Sequence, residues 1–437
     1  MKTRSCTHFL LSLCGKRLQP KSCGSFADTV LEKTWQHNDQ VFKSQCELLM
    51  SFFRLITSCS LVLLAGIAWA QLPTAGKYAA APEEWLLGNG QPWHHQTRTA
   101  HPAAALHWRE PSETEKATVE KAKRLLDQSS ARAMALLDGP HVVWVGYKFP
   151  ASAARRYLSF SIGKTVTAMA VGQAICDHKM ALETPIGQLI PELAGWDLGL
   201  ARVEDLLKMS SGTWAGNADS TILTAEQDQR LRSGSMSFLD VLTTLPVPAA
   251  DKDARGAPRK PGSYFVYHST DPLALGVALH QATGTTYAKY VENRVLLAAG
   301  IERPGIIGQD RHGYGAADGN IRLFLEDWIR FAVWVKASET GQGCFSDYVR
   351  RATRTQIANQ SKKSGASFDG YGYFIWTENN KRRDSFWAVG HGGQRIGWNH
   401  ANHRMLIAFS TVENYMGELY ALYADWAALG DAKNESR

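Results

Sequence analysis

The stretch SFSIGKTVTAM, Ser159 to Met169, sets a serine three residues before a lysine at the head of a run with helical spacing. Residues i and i+3 of a helix share a face, so with Ser161 at the helix start the Lys164 amine reaches the Ser161 hydroxyl. Around the pair stand Ile162, Val166, Met169 and Val171, which favour burial. A serine hydroxyl is a weak nucleophile until a base takes its proton. A lysine can be that base only where burial or nearby positive charge disfavours the ammonium form. The apolar neighbours provide such desolvation, and at the amino end of a helix the Ser161 backbone N–H can also help to hold a developing oxyanion. Taken alone, S-x-x-K is a weak signal that equally fits an N-terminal serine followed by a lysine extending to solvent.

Two later segments strengthen it. PGSYFVYHSTDPLALGVAL (Pro261 to Leu279) places Tyr267, His268 and Ser269 at the head of another helix. From there Tyr267 can share a proton with Lys164 and pass one to a leaving group. The same residues would also suit a core tyrosine with a capping serine. GHGGQ (Gly390 to Gln394) reads as two glycines on a strand beside His391, allowing close backbone approach to a ligand, or as a β-bulge.

In this order the three motifs resemble those of the serine hydrolases built on the β-lactamase and penicillin-binding-protein fold, most of all the class C β-lactamase-like branch. That branch also holds esterases, D-amino-acid peptidases and 6-aminohexanoate-dimer hydrolases. The resemblance runs from about Val142 to Thr411 and implies roles residue by residue. Ser161-Ile162-Gly163-Lys164 is similar to S-x-x-K, with Ser161 the acylated nucleophile and Lys164 its proton partner. Tyr267-His268-Ser269 is similar to Y-x-N, with Tyr267 the general base and acid. His391-Gly392-Gly393 is similar to K-T-G on the strand lining the cleft, making the Gln394 backbone N–H the second oxyanion donor opposite that of Ser161. LLKMSSGTW (Leu206 to Trp214), Pro261-Gly262 and GYGY (Gly370 to Tyr373) are similar to supporting segments, and Trp214, Tyr373 and Trp398 are candidates for the cleft wall.

Two departures bear on substrate. Where β-lactam enzymes hold a fixed cation toward the substrate carboxylate, this chain has His391, and an ordinary histidine, with a pKa of about 6.5, is mostly neutral near pH 7. Ser269 in place of the asparagine is shorter and lacks the amide donor that would orient an acylamino group. Both changes lean toward esters or small amides, bound through Ser269, His391, Gly392 and Gly393.

The flanking sequence predicts an α+β fold. From Ser112 to Leu137 the spacing is helical, opened by a Ser112/Glu115 capping box. HVVWVGYKF (His141 to Phe149) reads as a core strand after Asp138-Gly139-Pro140. GYGYFIWTE (Gly370 to Glu378) reads as a strand, Ser385 to Thr411 as two strands joined around Asn399 to His403, and the segment from Glu413 to Gly430 as an amphipathic helix. Helices between, over about 165–290, form an inserted lobe, so both ends of the chain build one antiparallel sheet flanked by helices. Residues 71–437 are expected to form a single domain. The pairs in WHHQ (Trp93 to Gln96) and at His400 and His403 read as loop polarity, so no metal is expected, and no organic cofactor.

The amino terminus differs. In MSFFRLITSCSLVLLAGIAWAQ, Arg54 precedes an apolar run from Leu55 to Trp69, and Ala68-Trp69-Ala70 suits a signal peptidase. Met50 to Ala70 is therefore expected to be a signal peptide. Residues 1–49 are expected to be untranslated or unstructured, a cytosolic leader or second targeting element being the alternative. Cleavage leaves no stable membrane span and an exported protein, periplasmic or secreted. It removes eight Lys and Arg and four Asp and Glu, lowering the net charge from +7 to +3, too mild to argue for nucleic acid. Only Cys176 and Cys344 remain; they can pair, but Cys176, on an apolar helix, reads first as a small buried hydrophobe.

The chain is thus expected to be an exported serine hydrolase that forms an acyl-enzyme with a small ester or amide. The alternatives are a true β-lactamase or D,D-peptidase, and a non-catalytic sensor or binding module.

Overall fold

The computed structural model describes residues 93–212, 225–244, 259–360, 362 and 364–434. The chain divides into two compact units, Met1–Leu72 and Pro73–Arg437, and every described residue belongs to the second. The expected leader and signal segment lie outside the described residues, as does Trp214.

The strands in chain order are β1 (His94–Gln96), β2 (His107–Trp108), β3 (Ala131–Asp138), β4 (His141–Tyr147), β5 (Arg156–Leu158), β6 (Ile306–Gly308), β7 (Ile321–Phe324), β8 (Ile357–Ala358), β9 (Phe368–Tyr371), β10 (Trp376–Asn379), β11 (Arg382–Gly390), β12 (Gln394–Asn399) and β13 (Arg404–Ser410). Nine form one sheet in the order β2-β4-β3-β13-β12-β11-β10-β9-β8. The amino-terminal strand β3 pairs with the carboxyl-terminal β13, Ala135 facing Ile407, so the two ends of the chain do meet in one sheet. Every pairing is antiparallel except the two-residue contact of β2 with β4, which is parallel. A second antiparallel sheet, β1-β6-β7-β5, was not expected from the sequence.

The longer helices are α1 (Glu113–Gln128), α2 (Ile162–Cys176), α3 (Thr270–Thr283), α4 (Leu325–Thr340), α5 (Cys344–Ala352) and α6 (Met416–Asn434). Strands β12 and β13 are buried at every residue, which requires cover on both faces. Helices α1 and α6 pack together and onto β3 and β13, while α2 touches β11 and β12. Helix α2 is buried almost all round, as expected of a helix that is apolar on every face. The lobe after it contains short helices, among them Val203–Leu207 and Phe238–Thr244.

Three sequence expectations need correction. The helix from Ser112 ends at Gln128, and Ala131–Asp138 is a strand. ARAMALLD is rich in helix formers, yet flanked by β4 and β13 it is paired on both edges and buries Ala133 to Leu137 completely, and tertiary burial outweighs propensity. Gly370 to Glu378 is a hairpin, with the Gly372 N–H donating to Ile375 O at 2.7 Å across the turn between β9 and β10. Ser385 to Thr411 holds three strands rather than two, because His391-Gly392-Gly393 turns the chain between β11 and β12.

Cys176 is half-buried and Cys344 exposed, and they form a disulfide with Cα atoms 5.8 Å apart, contrary to the reading of Cys176 as a buried hydrophobe. The bond ties the end of α2 to the start of α5 across 168 residues. Closing so long a loop stabilises by roughly 2–5 kcal/mol, chiefly by restricting the unfolded chain. Cys344→Ser is expected to lower the thermal midpoint by several degrees, and dithiothreitol should do the same to the wild type but not to the variant.

Glu115 anchors α1 to the sheet. Fully buried, it accepts from Arg109 at 2.7 and 2.8 Å, from Arg404 at 2.6 Å and from the Ser112 N–H at 2.8 Å. Burial alone would raise its pKa, but the two guanidinium groups and the amide hold it well below the usual carboxylate range. A carboxylate with a folded pKa below its unfolded value contributes stability that is complete above about pH 4.5 and is lost as the pH falls toward the folded value. We expect urea midpoints of the wild type to fall between pH 5 and 3. In Glu115→Gln the slope should be shallower, and at pH 7 the variant should be less stable by about 3 kcal/mol, because buried Arg404 loses its nearest carboxylate and keeps only Asp138, at 3.7 Å.

Candidate active site

The chain enters the site through a hook. Ser159 donates its N–H to Ile321 O at 2.7 Å, and its hydroxyl accepts from the Ile321 N–H at 3.1 Å, which fastens the segment to β7. Phe160 then adopts φ +43°, a left-handed conformation that is costly for an aromatic residue and persists only where the surroundings enforce it. The Phe160 carbonyl accepts from the Gly163 N–H at 2.9 Å, and the chain passes straight into α2. Ser161 sits at the N-cap, yet its hydroxyl makes no capping bond. It accepts instead from Lys164 Nζ at 2.9 Å.

Lys164 is 2% exposed, so it does not extend to solvent. Its amine also donates to Asp318 O at 2.7 Å and lies over the face of Tyr267, 5.3 Å from the ring centroid. All three partners are neutral: a hydroxyl, a carbonyl and a phenol ring. The Asp318 carbonyl belongs to the loop before β7 and was missed from the sequence, because backbone acceptors carry no side-chain signature. Tyr267 is half-buried and held by ring contacts, 5.3 Å to Trp376 and 6.3 Å to Tyr371. The structure therefore brings Ser161, Lys164 and Tyr267 together, with Tyr267 meeting the amine by its ring face.

Ser269 occupies the N-cap of α3 and is buried; beside it His268 Nε2 lies 3.3 Å from the buried Asp271 carboxylate. His391 is exposed and meets Phe160 edge-on at 5.6 Å, so the turn after β11 touches the hook that precedes Ser161. That approach needs Gly390, where a Cβ would lie 2.4 Å from Ser159 O. Gly392 and Gly393 have φ of +75° and +96°, values that suit glycine and make a tight turn rather than the extended strand expected from the sequence. Gln394 opens β12, paired with Gly390 and fully buried.

Two expected cleft aromatics are displaced into the core. Tyr373 has no exposed surface, and its phenol bonds Glu204. Trp398 is equally buried, stacks on Phe386 and donates to Ala332 O at 2.9 Å. Both are enclosed by residues distant in the chain, Tyr348 and Glu204 around Tyr373 and Ala332 beside Trp398. Of the histidines weighed as metal ligands, His95 pairs with Glu292 and His400 with Glu339.

The family model for Beta-lactamase matches residues 119–429. No curated protein matches the sequence at a significant level. Among solved structures, a Bacillus anthracis protein provisionally described as a 6-aminohexanoate-dimer hydrolase is 17% identical, with a TM-score of 0.61 over 79% of this chain and 90% of that one. EstCE1, described as a hydrolase with promiscuous acyltransferase activity, is 14% identical, with a TM-score of 0.55 over 72% and 98%. A D-stereospecific amidohydrolase from Streptomyces is 16% identical, with a TM-score of 0.52 over 71% and 98%. At such identities these likenesses speak to the fold. With the family model spanning most of the sheet and all three motifs, the chain belongs to the beta-lactamase family, whose members are typically serine hydrolases.

Proposed function

We propose that this protein is an exported serine hydrolase that forms an acyl-enzyme with small esters or amides. The observation that carries the reading is the 2.9 Å contact between a buried lysine amine and a serine hydroxyl that caps nothing. Ser161 Oγ attacks the substrate carbonyl while Lys164 takes its proton, and the leaving group receives a proton through Tyr267. The acyl group stays on Ser161 until water displaces it. The backbone N–H groups of Ser161 and Gln394 hold the oxyanion.

Substrate preference rests on His391 and Ser269, which lack the fixed cation and the amide that would favour a β-lactam carboxylate and its acylamino group. The esterase and amidohydrolase neighbours are in keeping with this choice. Export is supported by the signal-like segment Met50 to Ala70 and by a disulfide of the kind that persists in oxidising compartments. Among the described residues no helix is long and apolar enough to cross a membrane.

The test is intact-mass measurement after incubation with p-nitrophenyl acyl esters, small amides and a chromogenic cephalosporin. An acyl adduct on Ser161 with ester turnover exceeding cephalosporin turnover is expected. Faster cephalosporin turnover would make the protein a β-lactamase. No labelling of Ser161 by a fluorophosphonate would instead point to a non-catalytic module.

A further inference from the structure

The turn His391-Gly392-Gly393 is held at both ends by one buried cation. Arg395, 3% exposed, donates through Nη1 to Gly390 O at 2.8 Å and to Gln394 O at 2.9 Å. Its Nε donates to the Tyr420 hydroxyl of α6 at 2.8 Å, and its Nη2 lies 3.5 Å from the Glu413 carboxylate. Within the turn, Gln394 Nε2 donates to His391 O at 2.6 Å and to Ser410 O at 2.9 Å, while Gln394 Oε1 accepts from the Ser410 N–H at 2.9 Å.

These bonds have a geometric consequence. A peptide unit is planar and nearly always trans, so fixing a carbonyl fixes the N–H on the opposite side of the same plane. The bonds to Gly390 O, His391 O and Gln394 O therefore set three of the five peptide planes from Gly390 to Arg395. The Gly393–Gln394 plane, which carries the oxyanion N–H, is flanked by a fixed plane on its carboxyl side and two glycines on its amino side. Glycines do not hold an orientation by themselves, so the burden falls on the buried donors.

We propose that Arg395, braced by Tyr420 of the carboxyl-terminal helix, is a positioning residue that holds the turn so that the Gln394 N–H meets the oxyanion. Its guanidinium suits this task because a planar fork can serve two carbonyls and a phenol at once, whereas an ammonium is a single compact donor. The inference rests on the proposed acyl-transfer function and assigns a part of the site to α6.

The experiment compares wild type, Arg395→Met, Arg395→Lys and Tyr420→Phe as full-length protein. It measures kcat and KM for a p-nitrophenyl acyl ester and the rate at which a fluorophosphonate labels Ser161, with circular dichroism to confirm folding. Displacing an oxyanion donor by a fraction of its bond length is expected to lower kcat and labelling about 10–100-fold in Arg395→Met, with KM changed less than about 3-fold. Arg395→Lys should recover part of the loss, and Tyr420→Phe should lose about 3-fold or more. Unchanged kcat and labelling in a folded Arg395→Met overturns the inference, as does a rise in KM alone. If Arg395→Met does not fold, unchanged rates in both Arg395→Lys and Tyr420→Phe overturn it. A wild type that fails to label ends the proposed function and this inference together, whereas normal wild-type labelling with indifferent variants ends only the inference.

Discussion

Ser161→Ala is expected to lower kcat/KM for acyl esters by at least about 1,000-fold and to abolish the mass adduct, while leaving the fold intact. The hydroxyl makes no capping bond, so its loss takes from α2 only the acceptor of Lys164, whose amine keeps its bond to Asp318 O. The half-buried side chain is small, which limits the cavity it leaves. Lys164→Ala should reach a similar floor, and the double variant should be no slower than the worse single one, because two groups that act as a unit lose their joint effect when either goes. Lys164→Ala is also expected to cost stability, since it leaves the Asp318 carbonyl without its amine donor. Full turnover in a folded Ser161→Ala would remove the nucleophile from the proposal.

Tyr267→Phe is the second large effect. The ring stays in place because Trp376 and Tyr371 hold it by its faces and edges, so the substitution deletes only the hydroxyl. Loss of a general acid and base typically costs about 100–10,000-fold. The loss should be smaller for an ester with a good leaving group such as p-nitrophenolate than for an alkyl ester or amide, whose leaving group needs a proton. Equal and small losses across that series would show that the phenol does not carry the proton.

Much of the site was legible because its signals are local. Ser161 and Lys164 are three residues apart, and helix geometry alone places them on one face; the apolar residues around them announce burial. Tyr267 was singled out by its position before a helix, and the structure places its ring, not its hydroxyl, against the Lys164 amine. That both ends of the chain contribute to one sheet followed from the strands read at His141 to Phe149 and Ser385 to Thr411, although the strand that joins them, β3, was read as helix. Other features depend on partners far away. ARAMALLD has helical propensity, and its conversion to a strand reflects the pairing offered by β4 and β13. His391-Gly392-Gly393 contains glycines that suit a bulge, a strand or a turn, and the turn is held by bonds from the Arg395 and Gln394 side chains that the local sequence does not announce.

What residue spacing by itself determined was a pairing: a hydroxyl beside an amine at the head of a buried helix, fixed by the pitch of the helix. What only the tertiary structure decided was the company those groups keep. The Asp318 carbonyl, the Arg395 brace, the Cys176–Cys344 bond and the burial of Tyr373 and Trp398 join residues distant in the chain. Such contacts depend on how whole elements pack, and no short run of residues encodes them.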